Sequence, residues 1–224
     1  RLNFRRMKIW PRILGALLLS ALWLPHPTAR AQGSLTPPGA PGPTMKTLAQ
    51  IEPRTPISSL PFTIATPGAY YVTTNLTGQA GSNGILIQAD HVSLDLNGFV
   101  LAGVTDALKG IALAAARQNV VVRNGTVSNW KTGVDGESAT HCQYEGLRLL
   151  NNAGTGLIAG ADSIVSRCTS FSNEGHGIQV DRESRIEECT VRGNLLNGIK
   201  VASGCQVMAC TATFNSVHGI SLEN

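Results

Sequence analysis

From residue 84 onward the chain alternates short apolar-polar-apolar runs with clusters of Gly, Asn, Ser and Asp. Each run opens on a glycine followed by an aliphatic residue: Gly84-Ile85, Gly110-Ile111, Gly133-Val134, Gly156-Leu157, Gly177-Ile178, Gly198-Ile199 and Gly219-Ile220. Their spacings are 26, 23, 23, 21, 21 and 21 residues, and the last three full units align without a gap as GLIAGADSIVSRCTSFSNEGH, GIQVDRESRIEECTVRGNLLN and GIKVASGCQVMACTATFNSVH. Within this frame positions 2 and 4 are apolar (Ile178 and Val180, Ile199 and Val201), position 10 is apolar (Val165, Ile186, Val207) and position 13 is cysteine. A fixed period of this length marks stacked units that each bury a face on the next. Leucine-rich repeats need leucines at several fixed places and often a helix, and helical repeats are longer. Three short strands joined by bends instead predict an all-β solenoid, a three-sided parallel β-helix with coils about 4.8 Å apart.

Two columns support the stacking. Asn151, Asn173, Asn194 and Asn215 recur at intervals of 22, 21 and 21, which predicts a ladder of amides, each hydrogen-bonded to the next. Cys168, Cys189 and Cys210 form a second column, which Gly98, Gly125 and Gly146 are expected to continue, since small or sulfur-containing residues suit a crowded inward position. Neighbours in such a stack have parallel side-chain vectors about 4.8 Å apart, outside usual disulfide geometry, so free buried thiols are expected. Cys142 and Cys205 lie outside the column and their state stays open. Thr126, Thr169, Thr190 and Thr211, interrupted by Leu147, are expected along one outer face.

The chain ends differ from its middle. From Met7, a basic flank, the apolar run Ile13 to Leu24 and the Ala29-Arg30-Ala31 close have the layout of a secretory signal peptide over residues 1–31. The run is too short for a membrane span, so no transmembrane segment is expected after cleavage. Residues 32–60 are proline-rich and read as a linker or wrapping segment. FTIATPGAYYVTTNLTG, within residues 61–83, reads as a capping strand pair around a Pro-Gly turn, ahead of coils over 84–224. The closing GISLEN reads as the start of another coil, so the chain is expected to continue.

Removing the leader changes the charge argument. Residues 1–31 carry six of the eighteen Lys and Arg residues and no Asp or Glu, which leaves twelve positive against fourteen negative residues. The overall charge of +4 belongs to the leader, and no basic face suggests a nucleic-acid partner.

The glycine-aliphatic coils, asparagine column, leader and capping segment together resemble the right-handed parallel β-helix superfamily of pectate lyases over residues 60–224. The nearest likeness is to exported bacterial β-helix repeat proteins of unassigned activity, whose first segments resemble PISSLPFTIATPGAYYVTTNLTG and HVSLDLNGFVLAG. The resemblance implies right-handed coils, a polysaccharide partner and a place at the cell envelope or outside the cell. It spans lyases, hydrolases, epimerases and proteins without known catalysis, so fold does not select among them.

Chemistry is sparser than fold. Gly175-His176-Gly177 matches the Gly-His-Gly segment of the polygalacturonases, and Gly198-Ile199-Lys200 faintly echoes their Arg-Ile-Lys, but no Asn-Thr-Asp or Asp-Asp sequence exists. Glycoside hydrolysis needs two positioned carboxyl groups. His176 also shares its frame position with Asn197 and His218, each before a glycine, and so reads better as turn punctuation than as a catalytic imidazole. A lyase would need calcium or an arginine beside the uronate, plus a base. Asp181, Arg182, Glu183, Arg185, Glu187 and Glu188 are the dense charge cluster, and their mixed signs read as a solvated rim. Gln179, Lys200 and nearby Asp181 are the candidate substrate-binding group. Aromatic sugar platforms are scarce, with Trp130 the single tryptophan beyond the leader beside Tyr70, Tyr71 and Tyr144. The alternative is a non-catalytic structural or adhesive surface solenoid. No metal or cofactor site is indicated apart from the calcium a lyase would use, and the oligomeric state is not legible.

Overall fold

The computed structural model describes residues 52–223, which fall in one compact unit, Lys46–Asn224. The leader 1–31 and most of the proline-rich stretch lie outside the described residues. Regular structure consists of 21 strands and no helix among those residues, and none is therefore long and apolar enough to cross a membrane as a helix.

The strands form three walls of a parallel solenoid. The first wall stacks Phe62–Ile64, Ile85–Ile87, Lys109–Leu113, Thr132–Gly136, Leu157–Ala159, Ile178–Val180, Ile199–Val201 and Ile220–Leu222. The second runs from Thr55–Ile57 and Gly68–Val72 to Arg185–Glu187 and Gln206–Met208, and the third from Leu76–Thr77 to Thr211–Thr213. The eight-residue strands Val121–Ser128 and Gln143–Leu150 turn the corner between these two walls and join them into one sheet.

Register explains why so few residues suffice. In the second wall Val122, Tyr144, Val165, Ile186 and Val207 stack inward, while Arg123, Glu145, Ser166, Glu187 and Met208 stack outward. A three-residue strand with alternating faces places one or two apolar side chains inside, and the neighbouring coils supply their contacts. The core runs unbroken from Ile57 to Val201. Thr55–Ile57, the first strand among the described residues, lies inside the stretch read as linker. Phe62–Ile64 and Gly68–Val72 do not pair with each other as the sequence suggested; each pairs in parallel with a later coil, in a different wall.

The asparagine ladder is Asn152, Asn173, Asn194 and Asn215. In each step the backbone N–H and the side-chain Nδ2 of one asparagine donate to Oδ1 of the next, at 2.8 to 3.1 Å. Asn151 is therefore not a ladder member. It is exposed and sits at φ 52° in a corner column with Asn129, Ser172, Gly193 and Phe214, all left-handed. The interval of 22 in the sequence carried the clue, since Asn152 restores 21 at every step. A similar left-handed column runs through Asn124, Gly146, Arg167, Glu188 and Ala209. Arg, Glu, Ala and Phe seldom take this conformation, and the stacked coils impose it on them.

Those corner columns shift two other expectations. Leu147, not Gly146, stands above Cys168, because Arg148 pairs with Thr169, and Leu147 is fully buried. Arg148, not Leu147, interrupts the threonine column. All five cysteines are free. The thiols of Cys168 and Cys189 donate to the carbonyls of Ser166 and Glu187, both at 3.3 Å. A hydrogen bond with Cys168, together with burial, holds the Cys189 thiol far above its ordinary range. Cys142 ends a second ladder, in which its N–H donates to Ser163 Oγ at 3.3 Å and Ser163 N–H to Ser184 Oγ at 3.0 Å, while the Cys205 thiol, one coil further on, donates to the Asp181 carbonyl at 3.1 Å.

Candidate functional site

The outer surface of the first wall carries a polar leading edge and, beside it, a central column that is polar in four of its six coils. Lys109, Thr132, Thr155, His176, Asn197 and His218 form its leading edge, each immediately before the glycine of its coil. Three residues further on, Ala112, Asp135, Ile158, Gln179, Lys200 and Ser221 stand in register along its centre. The repeat of the coils sets their spacing at about 4.8 Å.

The glycine between the columns has a steric role. None of Gly84, Gly110, Gly133, Gly156, Gly177 and Gly198 has a left-handed φ. A Cβ on Gly177 would lie 2.2 Å from Val191 Cγ1, 2.7 Å from Asn194 Nδ2 and 2.7 Å from the Gly198 carbonyl oxygen. The chain needs glycine there because the first wall passes directly over the amide ladder. His176 likewise is not left-handed, so conformational tolerance does not explain it. Its Nδ1 accepts the Asn197 backbone N–H at 3.2 Å, and His218 Nδ1 lies 3.1 Å from Asn197 Oδ1. The column is thus pinned by its own side chains. Burial first, and then the charge of Lys200, hold the His176 imidazole below its ordinary value. With Nδ1 accepting, the neutral ring carries its proton on Nε2.

Of the candidate group, Gln179 and Lys200 are direct neighbours in register, and Lys200 Nζ pairs with Glu223 at 2.8 Å. Asp181 leaves the column at the far corner, where its exposed carboxylate accepts the Arg182 N–H at 2.7 Å. The sequence reading missed Asp135 and Lys109, whose side chains meet at 2.5 Å on the same face. GVDG at residues 133–136 occupies the frame position of GIQV and GIKV, so that signal was available. The charge cluster spreads from the turn at Asp181–Glu183 through Arg185 and Glu187 of the second wall to the corner at Glu188, in loose pairs such as Arg185–Glu187 at 3.8 Å and Glu188 with Arg167 at 3.9 Å. Among the described residues no group of three or more His, Cys, Asp or Glu is placed to hold a metal, so the calcium of a lyase finds no ligand set there.

Among the described residues, no phenylalanine, tyrosine or tryptophan side chain stands in either column. Trp130 is fully buried, with its Nε1–H donating to the Leu101 carbonyl at 3.0 Å, and Tyr144 is also fully buried. Trp130 occupies the ladder position of its coil, and its backbone N–H donates to Asn152 Oδ1 at 3.0 Å. Beside it opens a cleft of about 1020 Å³, under loop 103–108 and above Asn129, Lys131, Asn151 and Ala153. A smaller recess of about 390 Å³ lies between Phe171, Ser172, Arg192 and Gly193.

No curated protein matches the sequence. Among solved structures, the periplasmic alginate epimerase AlgG is similar with a TM-score of 0.48 and 14% identity, over 73% of this chain and 50% of that one. The chain thus spans about half the length of that protein. With parallel coils, three walls and an internal amide ladder in place, the match of residues 72–224 to the right handed beta helix region places the chain in the right-handed β-helix family.

Proposed function

We propose that the first wall binds an extended polysaccharide along the solenoid axis, in a protein exported to the cell envelope or beyond it. One observation carries the reading: along one face a polar edge of six coils runs beside a central column that is polar at Asp135, Gln179, Lys200 and Ser221 and apolar at Ala112 and Ile158, which brings hydroxyl, amide, imidazole, ammonium and carboxylate groups together at the coil spacing. That rise is on the scale of one sugar ring, so successive coils can meet successive residues of a straight polymer. Export is supported by the three-part leader of residues 1–31.

Binding without cleavage fits this face best. Asp135 is the one carboxylate in the two columns, and it is committed to Lys109, whereas hydrolysis of a glycosidic bond uses a pair. His176, held by Asn197, positions the edge and offers Nε2–H outward as a donor.

The test uses the full chain with pectic, alginate-like and neutral polysaccharides, with and without calcium. Retention on immobilised polymer, read beside unsaturated-product absorbance and new reducing ends, separates the outcomes. Retention without product is expected, and the double variant Gln179→Ala/Lys200→Ala should lose most of it. Product would identify an enzyme, and loss of neither retention nor fold in the double variant would remove the first wall as the binding face.

A further inference from the structure

We propose that the cleft beneath loop 103–108 is a second carbohydrate site, which holds a neutral, hydroxyl-rich sugar unit at one end of the polymer on the first wall. The inference rests on the polysaccharide reading above and adds to it a place and a ligand class. Its origin is a mismatch between adjacent coils. Eight residues, 103–110, link the third wall to Ile111, whereas five, 129–133, link it to Val134 in the next coil, and the regular coils use six, as in 151–156 and 172–177. The longest connection therefore overhangs the shortest, and a recess forms between them.

The overhang is fixed. Asp106 and Leu108 bond to the coil before, through Gly81 N–H to the Asp106 carbonyl at 2.9 Å and Leu108 N–H to the Ser82 carbonyl at 3.0 Å. Ala107 and Leu108 bond to the coil after, through Lys131 N–H and Thr132 N–H to their carbonyls at 3.2 and 3.1 Å. A loop whose backbone is satisfied on both sides presents a preformed cleft, as small-ligand sites generally do.

Its lining is unspent. Val104 and Leu108 are exposed by 37% and 40% although most apolar side chains of the solenoid are buried. Around them stand the side chains of Asp106, Asn129, Lys131 and Asn151, which make no side-chain hydrogen bond or ion pair among the described residues. An apolar patch ringed by donors and acceptors suits a sugar ring, whose C–H face is apolar and whose rim carries the hydroxyls. One acid and one base give the lining no net charge, which favours a neutral sugar over a uronate. Lys131 directly precedes Thr132 of the leading edge, so the cleft opens onto the proposed polymer track.

The experiment titrates the full chain with cellohexaose, mannohexaose and hexagalacturonate by calorimetry, alongside polymer retention. Thr105→Trp places a bulky side chain on the roof, from a residue whose own side chain is exposed. Asp106→Gly removes the carboxylate and relieves its φ of 64°. A neutral hexasaccharide should bind, with affinity falling about tenfold or more in Thr105→Trp and about fivefold in Asp106→Gly, at unchanged unfolding temperature. Unaltered affinity in both variants, tighter binding of hexagalacturonate than of either neutral probe, or no binding at all would overturn the site. If the cleft variants keep polymer retention while Gln179→Ala/Lys200→Ala loses it, the second site fails and the first-wall reading stands. If no polymer is retained by the parent protein, both fall.

Discussion

The coils from residue 151 onward and those between residues 78 and 136 share three walls but differ in their interiors. The later coils keep a strict period of 21 and carry the amide ladder, whose every donor meets the next oxygen. The earlier coils have periods of 26 and 23, and Trp130 stands where the ladder would continue. Its indole is packed so tightly that a Cβ on Gly78, Gly84, Gly103 or Gly110 would lie within 3.0 Å of a ring atom. A solenoid can thus close its core by repetition or by one large side chain among glycines. Repetition leaves a regular surface, whereas the irregular coils produce the overhang and the cleft.

The largest effect expected from breaking this comparison is in the irregular half. Trp130→Ala should lower the unfolding free energy by about 4–5 kcal/mol, read by chemical denaturation, because the surrounding glycines cannot refill the space. Asn173→Ala should cost about 3 kcal/mol, since it removes the oxygen that accepts both the Asn152 backbone N–H and its Nδ2, and the amide that donates to the Leu149 carbonyl, all in the interior. Asn215→Ala, at a half-buried step, should cost less than Asn173→Ala, and equal losses would mean that the ladder does not act through burial. Gly84→Ala should cost about 1–3 kcal/mol by overpacking against Trp130 and the Gly110 carbonyl.

Smaller effects sharpen the picture. Tyr144 spans the interior and its hydroxyl, which lies near Gly136, has no hydrogen-bond partner among the described residues. Tyr144→Phe should therefore leave stability unchanged or raise it by up to about 1 kcal/mol in thermal unfolding. His176 gives a sign for pH. Its native value lies below that of the unfolded chain, near 6.5, so the unfolded state binds more protons and stability should decline as pH falls below about 6.5. His176→Asn should keep the fold and remove that part of the decline, while a large loss of stability at neutral pH would show that the ring, not its column position, is required.

Much of the fold was legible because a solenoid writes its contacts into the period. Gly177 and Gly198, Ile178 and Ile199, Gln179 and Lys200 align in the sequence at the interval by which they pair in space. Asn152 was lost to its neighbour because two adjacent asparagines differ only in which way the corner turns, and that turn depends on a left-handed residue that stacking imposes. Asp135 and Lys109 were lost because one stands two places after its coil's glycine and the other one place before the glycine of the preceding coil, and only the stacking of the coils brings those places together as an ion pair. The cleft was not legible at all, since it is a difference between two neighbouring connections.

The sequence alone determined the repeat and the parallel walls, because each follows from which residue types recur at a fixed interval. Only the tertiary structure decided which asparagine enters the ladder, why its covering residue is glycine, and where a recess opens. Those depend on distances between coils, which no single coil specifies.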